Sequence, residues 1–300
     1  MDGSASLRSD WLHAFVSFAE HLNFTRAARA LHLSQPALHV QIAKLSEALG
    51  VPLYTRRGRA LELTREGTKL VAFARETQER SSEFVADLRG GSSAGPVVLC
   101  AGEGTYLYLL GDAIRAFAKR RTATLRLLTR DRSGTLDAVA SGEAHLGVSS
   151  LDVAPDGIVA EPLCDVEQVV VVSRSHPLAR KRTVTLTDLE GASLVVPPEG
   201  RPHRAMISRG LQAAGVSWSV AAEANGWGLI LHFAALGVGS AIVNGFCRIP
   251  TGMVARPLRG LPPVRYSLLT RNGAHPSGRV EILRRIIQES TRTARGRSTE

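Results

Sequence analysis

Residues 24–67 read FTRAARALHLSQPALHVQIAKLSEALGVPLYTRRGRALELTREG. Thr25 is placed to cap a short helix, RAARALH, whose Ala27, Ala28 and Ala30 let a neighbouring helix approach closely. Leu33 and Ser34 form the turn that follows. Ser34 caps the next helix, with Pro36 tolerated in its first turn and Leu33 set to pack on Leu38. At about 100° per residue, Leu38, Ile42, Leu45 and Leu49 share one narrow sector that must face a core. The opposite side carries Pro36, Val40, Ala43, Lys44 and Glu47, with Gln35 and His39 on its flanks near the N-terminus. Such a face is short of charge for mere solvent exposure. Small or apolar groups there can touch thymine methyls, Gln35 can read adenine and Lys44 can sit on phosphate.

Working outward, VPLYTRRGRALELT (51–64) forms two short alternating strands around a tip loaded with Arg56, Arg57 and Arg59. A basic tip alone is most simply a solvated loop; beside a capped helix-turn-helix it reads as a wing that grips nucleic acid. Upstream, Leu12, Phe15, Val16 and Ala19 recur at i, i+3, i+4 and i+7, the apolar stripe of one further helix. Downstream, a helical pattern from Leu63 to Leu88 would run roughly 39 Å at 1.5 Å per residue. Its Leu70, Ala74, Thr77, Ser81, Phe84 and Leu88 follow coiled-coil spacing, so two chains can pair there.

The segment strongly resembles the N-terminal winged helix-turn-helix of LysR-type transcriptional regulators. FTRAA, then LSQPAL, then LG.PL…R.GR…LT..G carry the likeness over residues 7–90. The resemblance implies that Thr25, Ser34, Gln35 and Pro36 help dock the reading helix on DNA and that the wing arginines hold backbone or minor groove. It also implies that the long helix dimerises. One departure stands out: where the family usually has Ser-Arg after SQPAL, this chain has His39-Val40, which implies an unusual operator preference.

The bulk properties agree. A chain of 300 residues implies two domains or three, and 44% hydrophobic with 21% charged residues excludes disorder, collagen and plain coiled coil. A net charge of +10 favours a polyanionic partner. No apolar stretch approaches the roughly 18 residues of a membrane span, and the N-terminal MDGSASLRSDWLHAF lacks the apolar run of a secretory signal, so a cytoplasmic location without membrane contact is expected. Cys100, Cys164 and Cys247 stand far apart and odd in number, as reduced buried thiols do.

GGSSAGP (90–96) interrupts the helical pattern with the composition of a flexible joint. Beyond it, the β-rich runs VVLC (97–100), LRLL (125–128), LGVS (146–149), VEQVVVVS (166–173) and SLVV (193–196) alternate with helical stretches, an α/β pattern. The expected fold is an all-α winged helix-turn-helix over 7–63, a linker and dimerisation helix over 64–90, and an α/β regulatory domain over 91–300. In the resemblance, that last part is two-lobed and similar to type-2 periplasmic binding proteins. Lobe 1 is expected over about 96–166 plus 268–290, and lobe 2 over about 167–267.

A small-molecule effector would sit between the lobes, where strands end and helices begin. By that logic the expected contacts are Thr105, Ser133, Ser149, Ser150, Pro198, Glu199, His203, Arg204, Asn225 and Trp227. Taken singly, such residues are more often caps, turns or surface. Arg204 and His203 hint at a carboxylate ligand and Trp227 at an aromatic one. The resemblance further implies a homodimer or homotetramer on a partly palindromic promoter site, and it admits RNA polymerase as another partner.

Enzyme readings fail on context. Gly102-Glu103-Gly104 follows a strand as a dinucleotide fingerprint would, with Asp131 further on, but Leu107 stands where a third glycine belongs. Gly91-Ser92-Ser93-Ala94-Gly95 matches G-x-S-x-G, yet it follows a helix and precedes a strand, the reverse of a nucleophile elbow. No histidine or cysteine spacing supports a metal site, and no cofactor is implied. A small-molecule-binding protein without regulatory role would leave the first ninety residues unexplained, and an architectural DNA binder would bind no metabolite.

Overall fold

The computed structural model describes residues 7–88, 95–121 and 123–297. The joint at 90–94, and with it most of the Gly91–Gly95 motif, lies outside the described residues.

The N-terminal unit is three helices, α1 (Ser9–His21), α2 (Phe24–Ala30) and α3 (Gln35–Leu49), then a hairpin of β1 (Tyr54–Arg57) and β2 (Ala60–Leu63), then the 24-residue α4 (Arg65–Leu88). Phe15 and Phe18 of α1, Ala27 and Ala28 of α2, and Leu38, Ile42 and Leu45 of α3 form its core with Leu53, Leu70, Val71 and Ala74. Ser34 caps α3 by accepting from Ala37 N at 3.3 Å, and Gly50 ends the helix in the left-handed region at φ 67°. Thr25 is not the cap of α2. Asn23 is, accepting from Arg26 N at 3.0 Å, because the helix starts at Phe24 and leaves Thr25 inside its first turn. Ala30 is exposed, and Leu33 is exposed rather than part of the core.

Thr64 locks the hairpin to α4: its hydroxyl donates to Pro52 O at 2.7 Å and accepts from Gly67 N at 2.9 Å. A Cβ on Gly67 would stand 1.9 Å from Leu53 O, so only glycine lets the first turn of α4 approach that carbonyl.

The six-position seam expected on α4 divides. Leu70 and Ala74 are buried in the chain's own N-terminal core, whereas Phe73, Phe84 and Leu88 are 47%, 64% and 71% exposed. Packing under α1 uses up the first two positions of the row, so the outward row begins one residue earlier, at Phe73, and continues through Thr77 to Phe84 and Leu88.

The remainder folds as two sheets. In chain order come β3 (Val97–Ala101), α5 (Glu103–Tyr108), α6 (Gly111–Arg120), β4 (Leu125–Thr129), α7 (Arg132–Ala140), β5 (Leu146–Ser150) and β6 (Ile158–Val166). Next are β7 (Gln168–Ser173), β8 (Val184–Thr185), β9 (Ala192–Val196), α8 (Pro202–Ala213), β10 (Trp218–Glu223), α9 (Trp227–Ala235), β11 (Ser240–Asn244) and β12 (Met253–Arg259). Last are β13 (Val264–Arg271) and α10 (Gly278–Arg297). One sheet has the order β4-β3-β5-β13-β6 and the other β10-β9-β11-β7-β12-β8.

The chain passes from the first sheet to the second at Glu167, between β6 and β7, and returns between Arg259 and Val264, earlier than residue 267. β13 already pairs antiparallel with β5 and β6 from its first residues. At the crossings, Gln168 Nε2 donates to Asn244 Oδ1 at 3.0 Å and Asn244 Nδ2 to the Tyr266 hydroxyl at 2.8 Å, a buried polar hinge that ties β7 and β11 to β13.

Candidate functional site

On α3 the inward sector is closed and the outward one is bare. Leu38, Ile42 and Leu45 are at most 1% exposed, while Val40 is 51% exposed and Gln35, Pro36, His39, Ala43, Lys44 and Glu47 are exposed with it. Thr25 Oγ1 donates to Gln35 Oε1 at 3.1 Å, so α2 fixes the Gln35 amide while its Nε2 has no partner among the described residues. The His39 ring packs on Phe24 at 5.1 Å, which holds it at the edge of the face. The hairpin turns at Gly58 and Arg59, with Arg56, Arg57 and Arg59 exposed. Arg56 Nε bonds Gly58 O at 3.1 Å and Arg57 Nε stands 3.4 Å from Glu62. The outward face of α3 carries Lys44 and Glu47 as its charges, and the hairpin tip carries three exposed arginines.

The second site lies between the lobes, a cleft of about 410 Å³. It opens where β3, β4, β9 and β10 end and the following helices begin. Thr105, Ser149, Ser150, His203, Asn225 and Trp227 line it, as do Arg130, Asp131, Arg132, Arg201 and Tyr266. Ser133, Pro198, Glu199 and Arg204 are not among its lining. Ser133 turns back to Asp131 Oδ1 at 3.0 Å, and Pro198 and Glu199 make the turn into α8, where Pro198 O accepts from Arg201 N. Arg204 falls one turn before Ile207 and two before Leu211, on the inward side of α8, and its guanidinium covers Trp218 at 4.8 Å. Strand-end reasoning finds the loops but not which face of α8 each residue occupies.

His203 carries no positive charge at neutral pH. Burial drives its pKa down to about 4, and Nε2 bonds Ile242 O at 3.0 Å. The cations of the cleft are instead arginines. Arg130 is spent on Glu143 in two bonds of 2.9 and 2.6 Å, and Arg201 bridges the lobes to Asp131 at 3.0 Å. Arg132 has no ion-pair partner among the described residues and is half-buried. The signal for these arginines is RDR (130–132) at the end of a strand, yet nothing in the sequence aims it inward.

Trp227 closes one end of the cleft. Its indole lies on Gly104, where a Cβ would meet Cδ1 at 2.1 Å, and its ring is edge-on to His203 at 4.6 Å. Thr105 is buried and lines the cleft with Tyr266, whose hydroxyl accepts from Asn244 and so joins the cleft to the hinge.

Residues 9–68 match the bacterial regulatory helix-turn-helix protein, lysR family, and residues 90–292 match the LysR substrate binding domain. The chain belongs to the LysR family of transcriptional regulators. This LysR-type regulator is 29% identical over 212 residues to the uncharacterized HTH-type transcriptional regulator YbhD of Escherichia coli (strain K12), covering 70% of this chain and 66%, just under two thirds, of that protein. It is 28% identical over 289 residues to the hydrogen peroxide-inducible genes activator of Dickeya chrysanthemi, covering 93% and 94% of the two chains. A full-length OxyR point variant from Pseudomonas aeruginosa shares its fold, with a TM-score of 0.69 at 22% identity over 95% of each chain. The family is one of regulators with a DNA-binding and an effector-binding domain, not of enzymes. Among the described residues no group of His, Cys, Asp and Glu could hold a metal ion, and no helix is long and apolar enough to cross a membrane.

Proposed function

We propose that this LysR-type regulator binds a partly palindromic promoter site as a dimer, with α3 in the major groove and the wing on the adjoining backbone or minor groove. The observation that carries this reading is the outward face of α3, where Gln35, Pro36, His39, Val40 and Lys44 stand exposed beside Arg56, Arg57 and Arg59. The α4 row of Phe73, Thr77, Phe84 and Leu88 supplies the dimer contact, and the regulatory domains build a tetramer. Promoter control in the cytoplasm, with RNA polymerase as a further partner, follows from that role. Selection of duplexes from a random pool by the full-length protein tests it. The expected product is a dyad site with half-site centres about one DNA turn, or a multiple, apart. A pool without enrichment rejects the reading.

The effector is a small organic anion bound in the cleft. Arg130 is held by Glu143 and Arg201 by Asp131, so among the described residues Arg132 is the arginine of the lining left without an ion-pair partner to receive a negative group. A carboxylate on Arg132 fits, with the Trp227 indole as a flat apolar wall. The carboxylate expectation therefore moves from His203 and Arg204 to Arg132. Thermal-shift screening of small carboxylates against the wild type and Arg132→Ala tests this, with stabilisation lost in the variant.

Peroxide sensing, suggested by one relative's name, does not transfer. All three cysteines are buried and none is in a disulfide. Burial raises the Cys100 thiol pKa and pushes that of Cys247 up to about 12, so neither is the exposed thiolate that oxidation requires.

A further inference from the structure

One short helix touches both functional halves of the molecule. α7 has 9 residues, about 13 Å at 1.5 Å per residue. At its N-terminus Asp131 accepts from Gly134 N at 3.1 Å, and the same carboxylate takes Arg201 from the other lobe at 3.0 Å. Opening or closing the cleft therefore pulls or releases the cap of α7 directly.

At the far end lies the linker helix. Ser141 is the C-cap of α7, and its carbonyl has no partner within the helix. Arg75 of α4 supplies that partner, donating from Nη1 to Ser141 O at 3.0 Å, while its Nη2 reaches Glu20 of α1 at 3.3 Å. The next residue, Gly142, has φ 68°, and a Cβ there would stand 3.3 Å from Ala72 Cα, so the two backbones are in close contact. Between these ends Thr135, Ala138 and Val139 are buried, with Thr135 and Val139 packed directly over Gly147 of β5. A close-packed helix of this length shifts as a unit.

Other contacts also hold α4 to lobe 1, including an exposed ion pair of Arg65, at the wing end of the helix, with Asp156 at 3.5 Å. Glu76 bonds Arg271 and accepts from His275 N, and Glu79 bonds His145 at 2.9 Å. Among the described residues, Arg75 alone is bonded to lobe 1 and to the packed helices of the winged domain at once.

We propose that α7 is the transmission element of this protein and that Arg75 is its coupling residue: the Asp131–Arg201 bridge sets the helix at the cleft and Arg75 conveys its position to α1. This rests on the reading of α3 and the cleft as the DNA and ligand sites. Coupling here is a free energy shared by two ends of one element, and a double-mutant cycle measures it without any ligand.

The full-length protein is compared with Arg201→Ala, Arg75→Met and the double variant, for affinity toward the duplex that the wild type selects. Arg201→Ala is expected to change Kd about fivefold or more in the wild-type background and less than twofold with Arg75→Met. Equal changes in both backgrounds, or no change in the first, overturn the proposal. Glu20→Ala, at an exposed partner, replaces Arg75→Met should the latter not fold, with the same expectation. If no duplex is selected, the DNA reading fails by itself, and hydrogen exchange over α4 still decides the coupling. Arg201→Ala should raise exchange near Arg75 in the wild type and add nothing in Arg75→Met; exchange unaffected by Arg201→Ala, or raised equally in both, overturns it.

Discussion

The face of α3 and the cleft between the lobes are built in opposite ways. The first is one continuous helix with a greasy side and a bare side, held by neighbours within about forty residues of chain. The second is assembled from five strand ends and the hinge, so that Thr105, Arg132, Ser149, Arg201, Trp227 and Tyr266 meet only after both sheets have formed. The difference teaches where rigidity comes from. α3 is fixed by its own core sector, whereas the cleft is fixed by contacts across it: Asp131 to Arg201, and the Trp227 indole on Gly104.

The sharpest break in the comparison is Leu38→Ala. Leu38 is fully buried beneath the bare face of α3, and its truncation should cost about 2–5 kcal/mol, unfolding the winged domain while the regulatory domain keeps its transition. Calorimetry of the full chain reads the two separately. If both transitions fall together, the two regions do not fold independently.

Acidification acts on the cleft instead. His203 is neutral in the fold with a pKa near 4 against an ordinary 6.5, so the unfolded chain takes up the proton first. The stability that depends on its neutrality is complete above about pH 6.5 and is lost progressively as pH falls towards 4, by about 3 kcal/mol in all. Denaturation followed by tryptophan fluorescence at pH 7, 5.5 and 4.5 should show this limb, and His203→Gln should flatten it.

Smaller effects sharpen the α3 side. Val40→Arg should shift base preference at one position in each half-site by about 1–3 kcal/mol, read by repeating the duplex selection. An unchanged preferred sequence would remove Val40 from the reading face. Arg56→Ala should leave the preference intact and lower the slope of log Kd against log salt by about one unit. An unchanged slope would place Arg56 away from phosphate.

Much of this is legible in the residues. Ser34 as a cap, the sector of Leu38, Ile42 and Leu45, the arginine-tipped hairpin and four of the five β-rich runs appear where local pattern puts them, because each depends on near neighbours in sequence. The cap of α2 stands two residues before its expected place, since Asn23 and Thr25 are both competent caps and only the packing of Phe24 on Phe18 and His39 starts the helix there. VEQVVVVS reads as one strand but breaks at Glu167, where the chain changes lobes. Position alone assigns Arg204 to the cleft, whereas its spacing from Ile207 and Leu211 places it on the inner side of α8, where the structure has it.

By itself the sequence determined the winged domain, the α/β alternation and the family, because helix periodicity, capping and turn chemistry act over a few residues and leave their mark in order along the chain. Tertiary structure decided which arginine faces the cleft unpaired among the described residues, which row of α4 is left exposed, and that α7 lies between Arg201 and Arg75. These depend on side chains from distant segments competing for the same space and the same hydrogen bonds, and no local pattern records the outcome of that competition.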